Sequence, residues 1–338
     1  MKNSIIVLLI LIGQNSFGQD PQFGQFFASP LNINPALTAH INADWRLISN
    51  IRDQWIGPAS PYVTGTVSFD MKLFQEKIPN VSTTDDNVFG IGGMLMYDRS
   101  MSGIQKSTYA SLNLSYHIKI AEGAGKHKLG IGFGGTYGRR FIDFSRLYFQ
   151  DQWVGMNGFN TNLPTGETAL SNMKPYVSVS TGLFYNFSTE KSNLDIGVAA
   201  FHLNKPHQTF LEDENQELPI RQVAHANFET FINTQVFLNT NAIYQFQKEA
   251  TYFSMGAALG SYVGEQQDAY ITGGLWYWSN KAIIPYVGFG YKNFQLGASF
   301  DIVTSKLNQA SPKPRTWELS LVLKGTKAAT GVIPCPWK

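Results

Sequence analysis

Strict alternation of apolar and small polar residues, repeated in segment after segment, constrains this chain more than any other feature. Between Ser107 and Ile120, Leu112, Leu114, Tyr116, Ile118 and Ile120 alternate with Ser111, Asn113, Ser115 and His117. Between Lys128 and Tyr137, Leu129, Ile131, Phe133 and Tyr137 alternate with Gly130, Gly132, Gly134 and Thr136. Phe294, Leu296, Ala298, Phe300 and Ile302 repeat the pattern against Gln295, Gly297, Ser299 and Asp301. Side chains of a strand point to opposite faces with period two, so these are strands with one apolar and one polar face.

A soluble sandwich alternates too, so the direction of the apolar face must be argued. The polar faces are small and uncharged, which suits a crowded or watery lumen. The apolar faces run ~10 residues, the length a tilted strand needs to cross a bilayer. Tyr97, Tyr137, Tyr148, Trp276, Trp278 and Tyr291 gather near segment ends, as interfacial girdles would. Composition agrees: 43% hydrophobic but only 15% charged, with 31 Gly, 24 Phe and 15 Tyr. The expected class is all-β, a transmembrane outer-membrane β-barrel of about 14 antiparallel strands with an N-terminal plug-like segment.

The expected strands are 44–52, 61–71, 88–98, 105–120, 126–143, 173–188, 193–203, 220–232, 234–246, 250–264, 268–279, 281–292, 293–303 and 315–324. With a periplasmic N-terminus, the long connections 144–172, 204–219 and 304–314 fall on the cell-surface side. The connection 72–87 breaks that rule as a long periplasmic turn. Lys2, the apolar run Ser4–Gly13 and the small residues around Ser16-Phe17-Gly18 read as a signal peptide. The organisation is therefore 1–18 signal peptide, 19–43 plug or periplasmic segment, 44–324 barrel and 325–338 periplasmic tail.

Other motifs favour structure over chemistry. Gly130, Gly132 and Gly135 match G-x-G-x-x-G, but inside a strand with no helix following, where a dinucleotide site needs one. Ser115 and His117 share a strand face, a hydrolase-like dyad that chance often produces. Glu212-Asp213-Glu214 reads as a solvated loop with too few ligands at calcium-loop spacing. The aromatics Tyr148, Phe149, Trp153 and Phe159 in the long loop suggest either a partner surface or an inward-folded plug. A net charge of +2 without a basic cluster does not call for nucleic acid. The lone Cys335 excludes an internal disulfide framework. No catalytic set, cofactor site or metal site is expected.

Gln19 to Pro35, QDPQFGQFFASPLNINP, is too rich in Pro, Asn and aromatics for either a helix or a lipid wall. With Ala36 following Asn34-Pro35, it resembles the N-terminus of the PorP/SprF family. Asn50, Arg52, Gln54 and Trp55, then Ser68-Phe69-Asp70, are similar to that family's next segment, and Cys335-Pro336 to its close. Ala39-His40 replaces the family's usual Gly, which puts the tight turn there in question. The resemblance implies a non-enzymatic component of type IX secretion and the gliding machinery. Its implied partners are the C-terminal domain of a secreted adhesin, the periplasmic ring proteins and outer-membrane lipid. Phe23, Phe26, Phe27, Pro30, Asn34, Pro35, Arg52, Gln54, Trp55 and Cys335 form the expected family-defining set, acting as plug or partner contact. The alternative is a pore for small hydrophobic solutes of the fatty-acid-transporter type, which also has about fourteen strands and an N-terminal plug.

Overall fold

The computed structural model describes residues 20–73, 87–167, 173–208, 216–264, 266–279 and 281–326. The expected signal peptide, the acidic triplet at 212–214 and the tail with Cys335 lie outside the described residues.

The alternating segments form strands in the expected places. They are β1 (Trp45–Ile56), β2 (Tyr62–Leu73), β3 (Asn87–Ser100), β4 (Gln105–Glu122), β5 (Lys126–Ile142), β6 (Tyr176–Ser188) and β7 (Ser192–Phe201). There follow β8 (Arg221–Phe231), β9 (Val236–Gln247), β10 (Ala250–Val263), β11 (Ala269–Trp278) and β12 (Ala282–Tyr291). β13 runs Phe294–Phe300 and resumes after Asp301 as Ile302–Val303, both pieces paired with β12. The final strand is Arg315–Gly325. Fifteen hydrogen-bonded segments, two of them end to end, thus make fourteen strands. Each strand is antiparallel to its sequence neighbour. β1 also pairs with the final strand, from Trp45↔Gly325 to Asp53↔Trp317, which closes the barrel. Closure leaves no sheet edge.

Burial settles which face is which. On β4, Leu112 and Leu114 are 58% and 40% exposed, whereas Asn113 and Ser115 are 2% and 3% exposed. A soluble sheet would bury the leucines. Here they form the lipid-facing wall, and the polar row turns inward.

Three corrections concern the girdle residues and the inner face. Trp276 and Trp278 are not girdle residues. Their neighbours Leu275 and Tyr277 point outward, so both tryptophans enter the lumen, only 2% and 3% exposed. Tyr148 lies in a long loop stacked on Phe159 with ring centroids 5.0 Å apart, not at a strand end. Nor is the inner face free of charge: Arg52, Asp70, Arg221, Asp301 and Glu318 are all buried in it.

The connections differ between the two ends. At the Trp45 and Gly325 end the connections 123–125, 189–191, 232–235 and 292–293 are short, and 74–86, outside the described residues, is the long exception expected above. At the other end stand the long connections 143–175, 202–220 and 304–314. Bacterial barrels keep short turns in the periplasm, so the Trp45 end is periplasmic and the long loops face outward.

Candidate functional site: a plug in the lumen

Residues 20–44 occupy the lumen. Their local structure follows from two prolines and an asparagine. Pro30 opens a single helical turn, Pro30–Ile33, at the position where its missing N–H costs nothing. Pro35 holds the preceding Asn34 extended, at φ −157° and ψ 120°. From there the Asn34 side chain accepts the Ala36 N–H at 2.9 Å and caps a short 3-10 turn, Pro35–Leu37. Ala39 then takes φ +58° and the His40 N–H reaches the Leu37 carbonyl at 3.1 Å. The tight turn thus forms without the family's usual glycine.

The segment is tied to the wall at three levels. Near the cell-surface mouth, Asp20 lies 2.9 Å from His202 Nε2 and 3.2 Å from Arg221 Nε. Burial alone would raise the Asp20 carboxyl, but His202 and Arg221 outweigh it and hold the group well below the usual aspartate range. Just beneath, Glu318 of the final strand accepts the Gly24 and Gln25 N–H groups and also pairs with Arg52. Arg52 reaches Asp301 at 2.6 Å and sits over the Trp278 ring, 5.0 Å from its centroid.

At mid-barrel, the Asn34 amide donates to the carbonyls of Leu183 at 3.0 Å and Val198 at 3.3 Å, and lies 3.0 Å from His225 Nε2. Here wall glycines permit direct backbone contact. A Cβ on Gly132 would lie 2.3 Å from the Ala36 nitrogen, and one on Gly182 would lie 1.9 Å from Asn34 Oδ1. Of the glycine motif, Gly132 alone seats the plug, within the uninterrupted strand β5, while Gly130 faces Phe184 and Gly135 meets nothing. Ser115 Oγ donates to the Thr38 carbonyl at 2.7 Å, and His117 Nε2 meets the Ala36 carbonyl at 2.9 Å. The hydrolase-like dyad is therefore bonded to the plug. Toward the periplasm, the Ala39 N–H donates to Asp70 at 2.7 Å, His40 meets Asp195 at 2.8 Å, and the Asp44 N–H reaches the Gly325 carbonyl at 2.9 Å.

Below the plug, the lumen widens into a cavity of about 1960 Å³ bounded by the periplasmic turns 123–125 and 189–191. Phe27, Pro30, Ile33 and Leu37 roof it. Phe27 stacks on Trp276 at 4.7 Å and meets Tyr286 edge-on at 5.4 Å. Among the described residues, no group of three or more His, Cys, Asp or Glu side chains is arranged to hold a metal ion.

The match that decides the family covers residues 15–323, against the type IX secretion system membrane protein PorP/SprF family. The chain belongs to that family. It is an outer-membrane barrel. No curated protein matches it. Among solved structures, a TodX mutant described as a monoaromatic hydrocarbon channel is 10% identical with a TM-score of 0.50, covering 87% of this chain and 92% of that one. The Pseudomonas putida toluene transporter TodX is 11% identical at TM-score 0.48, covering 90% and 93%. A Pseudomonas aeruginosa FadL homologue is 12% identical at TM-score 0.46, covering 86% and 92%. At such identities the likeness is one of fold alone.

Within this PorP/SprF barrel, seven of the expected site residues converge. Phe23, Phe26, Phe27, Pro30, Asn34 and Pro35 lie in the plug, and Arg52 meets it from β1. Gln54 accepts from Arg52 Nε at 3.3 Å, beside the plug. Trp55 does not join them. It sits 36% exposed at the outer end of β1, edge-on to Tyr62 at 5.5 Å, with φ +66°. Sequence reasoning missed Glu318, Asp301 and His225, and quoted Asp70 with the family's second segment without placing it in the set. A buried acid on the polar face of a strand, such as Glu318 between Thr316 and Ser320, was the available signal.

Asn34→Ala removes a cap and leaves buried carbonyls without their donor. The expected cost is about 2–3 kcal/mol, since each stranded buried group costs about 1–3 kcal/mol. Urea unfolding of the protein refolded in detergent, followed by tryptophan fluorescence, measures it.

Proposed function

We propose that this protein is a non-enzymatic binding component of type IX secretion. It recognises the C-terminal domain of a secreted or surface adhesin, or docks periplasmic ring proteins, or does both, for export or surface attachment. The observation that carries the reading is the bonded plug. A segment bonded to the wall at three levels from Asp20 to Asp44 lies in the lumen, which argues against a simple through-pore and favours recognition at the loops and the periplasmic face. Family membership supports it, as does the engagement of Ser115 and His117 with plug carbonyls.

Deleting the gene is expected to leave one large surface cargo unsecreted or shed into the medium. The protein purified from native membranes is expected to bring that cargo or the ring proteins with it. Recovery of neither, with cargo display unchanged, would overturn the proposal.

A second reading, transport of small hydrophobic solutes, is favoured by one observation, the aromatic side chains of Phe27, Trp276 and Tyr286 around the cavity roof. Steady open-channel current in planar bilayers, with solute uptake by cells, would favour it over partner binding.

A further inference from the structure

One wall of the periplasmic cavity carries two tiers of aromatic rings interleaved with amides. In the lower tier, Phe237, Tyr262 and Tyr270 stand mutually 5.7 Å apart between centroids. In the upper tier, Trp276 and Tyr286 are 5.4 Å apart and covered by Phe27, at 2% and 5% exposed, so the ring surface open to the cavity is that of Tyr262 and Tyr270. Asn227, Asn239, Asn241 and Gln295 line the same cavity. The Trp276 Nε1–H donates to Asn241 Oδ1 at 2.7 Å, and the Asn241 amide donates to Asn227 at 3.2 Å, so rings and amides form one surface. Tyr262, Tyr270, Asn227 and Asn239 are half-buried and keep part of their surface open to the cavity.

We propose that this wall is a carbohydrate-binding site for the N-acetylated amino-sugar strands of the cell wall. A sugar ring presents apolar C–H faces that pack on aromatic rings, together with hydroxyl and acetamido groups. Planar amides both donate and accept, which matches those groups. Other occupants fit less well. An extended peptide is captured by pairing with an open sheet edge, and a closed barrel has none. A hydrocarbon would strip water from the lysines, the carboxylates and the open parts of Asn227 and Asn239 that line the same cavity, which costs free energy. The volume of about 1960 Å³ exceeds the roughly 300–1,000 Å³ of a typical small-molecule site and suits an oligosaccharide. At the mouth stand Lys126, Lys191 and Lys292, with Glu190 and Glu229 nearby. The lysines suit the carboxylate of muramic acid, and this end of the barrel faces the compartment that holds the cell wall.

Isothermal titration calorimetry on the full-length protein in detergent tests the site. The probes are tetra-N-acetylchitotetraose, the disaccharide N-acetylglucosaminyl-N-acetylmuramic acid, and maltotetraose. The amino-sugar probes are expected to bind at least about tenfold more tightly than maltotetraose. The double variant Tyr262→Ala/Tyr270→Ala should weaken them by about tenfold, with its barrel confirmed by heat-modifiable gel migration. Lys126→Gln/Lys292→Gln should weaken only the muramic disaccharide. The proposal is overturned if neither amino-sugar probe binds at millimolar concentration, if maltotetraose binds equally, or if a folded tyrosine variant binds unchanged. A lysine variant that binds the disaccharide unchanged removes the carboxylate contact from the proposal.

Discussion

Replacing Arg52 by alanine is expected to lower the stability of the folded barrel by about 3–5 kcal/mol, the usual consequence of stranding a buried charge. Arg52 and Glu318 are each 2% exposed, and Asp301 shares the same guanidinium. Without Arg52, two carboxylates remain in a water-poor lumen with no cation between them. Glu318 must still serve the Gly24 and Gln25 N–H groups, so it cannot turn away without releasing the upper plug. The urea midpoint of the refolded protein should fall accordingly. The double variant Arg52→Met/Glu318→Gln tests the cause. It removes the charge at Glu318, and the glutamine carbonyl can still accept from one of the two plug N–H groups. Recovery of much of the lost stability supports the charge explanation. A double variant as unstable as Arg52→Ala assigns the effect to the remaining Asp301 carboxylate or to packing against Trp278.

Gly132→Val is expected to unseat the plug. Its Cβ would fall 2.3 Å from the Ala36 nitrogen and 2.4 Å from the Pro35 carbonyl carbon. Both are backbone atoms of a turn fixed by proline and by the Asn34 cap, so no side-chain rotation relieves the clash. Overpacking of this kind costs about 1–3 kcal/mol or more, and moving the plug is the available relief. The readout is current across planar bilayers, with the variant passing more ion current than the parent. Gly135→Val supplies the comparison. Gly135 lies on the same strand with nothing within 4 Å of its added Cβ, so conductance there should stay at the parental level. Equal currents for parent and Gly132→Val would show that the plug does not limit conduction.

These two variants mark the boundary between what sequence reasoning reached and what it did not. Gly132 was legible as an inward-facing glycine, because its neighbours Ile131 and Phe133 alternate with it. What it makes room for was not legible, since Ala36 lies 96 positions away along the chain (132 − 36). Trp276 shows the same limit from the other side. Its residue type suggested a lipid interface, but its parity beside Leu275 and Tyr277 sends it inward to Phe27. Glu318 reads as an isolated acid on a polar face until the plug backbone and Arg52 are brought to it.

The sequence by itself determined the strands, their order and their two faces. A period of two is a local property, and hairpins between sequence neighbours carry it around the barrel until β1 meets the final strand. Between Asp20 and Pro35, the local turns likewise follow from nearby residues, Pro30, Asn34 and Pro35. Only the tertiary structure decided where that segment goes. It runs inside the lumen from Arg221 and His202 near the outer mouth to Asp44 at the periplasmic end. The reason is physical. Its polar backbone groups need partners, and those partners are Glu318, Ser115, His117 and the Leu183 carbonyl. They come from strands scattered through the chain, and closure of the barrel assembles them into one cavity.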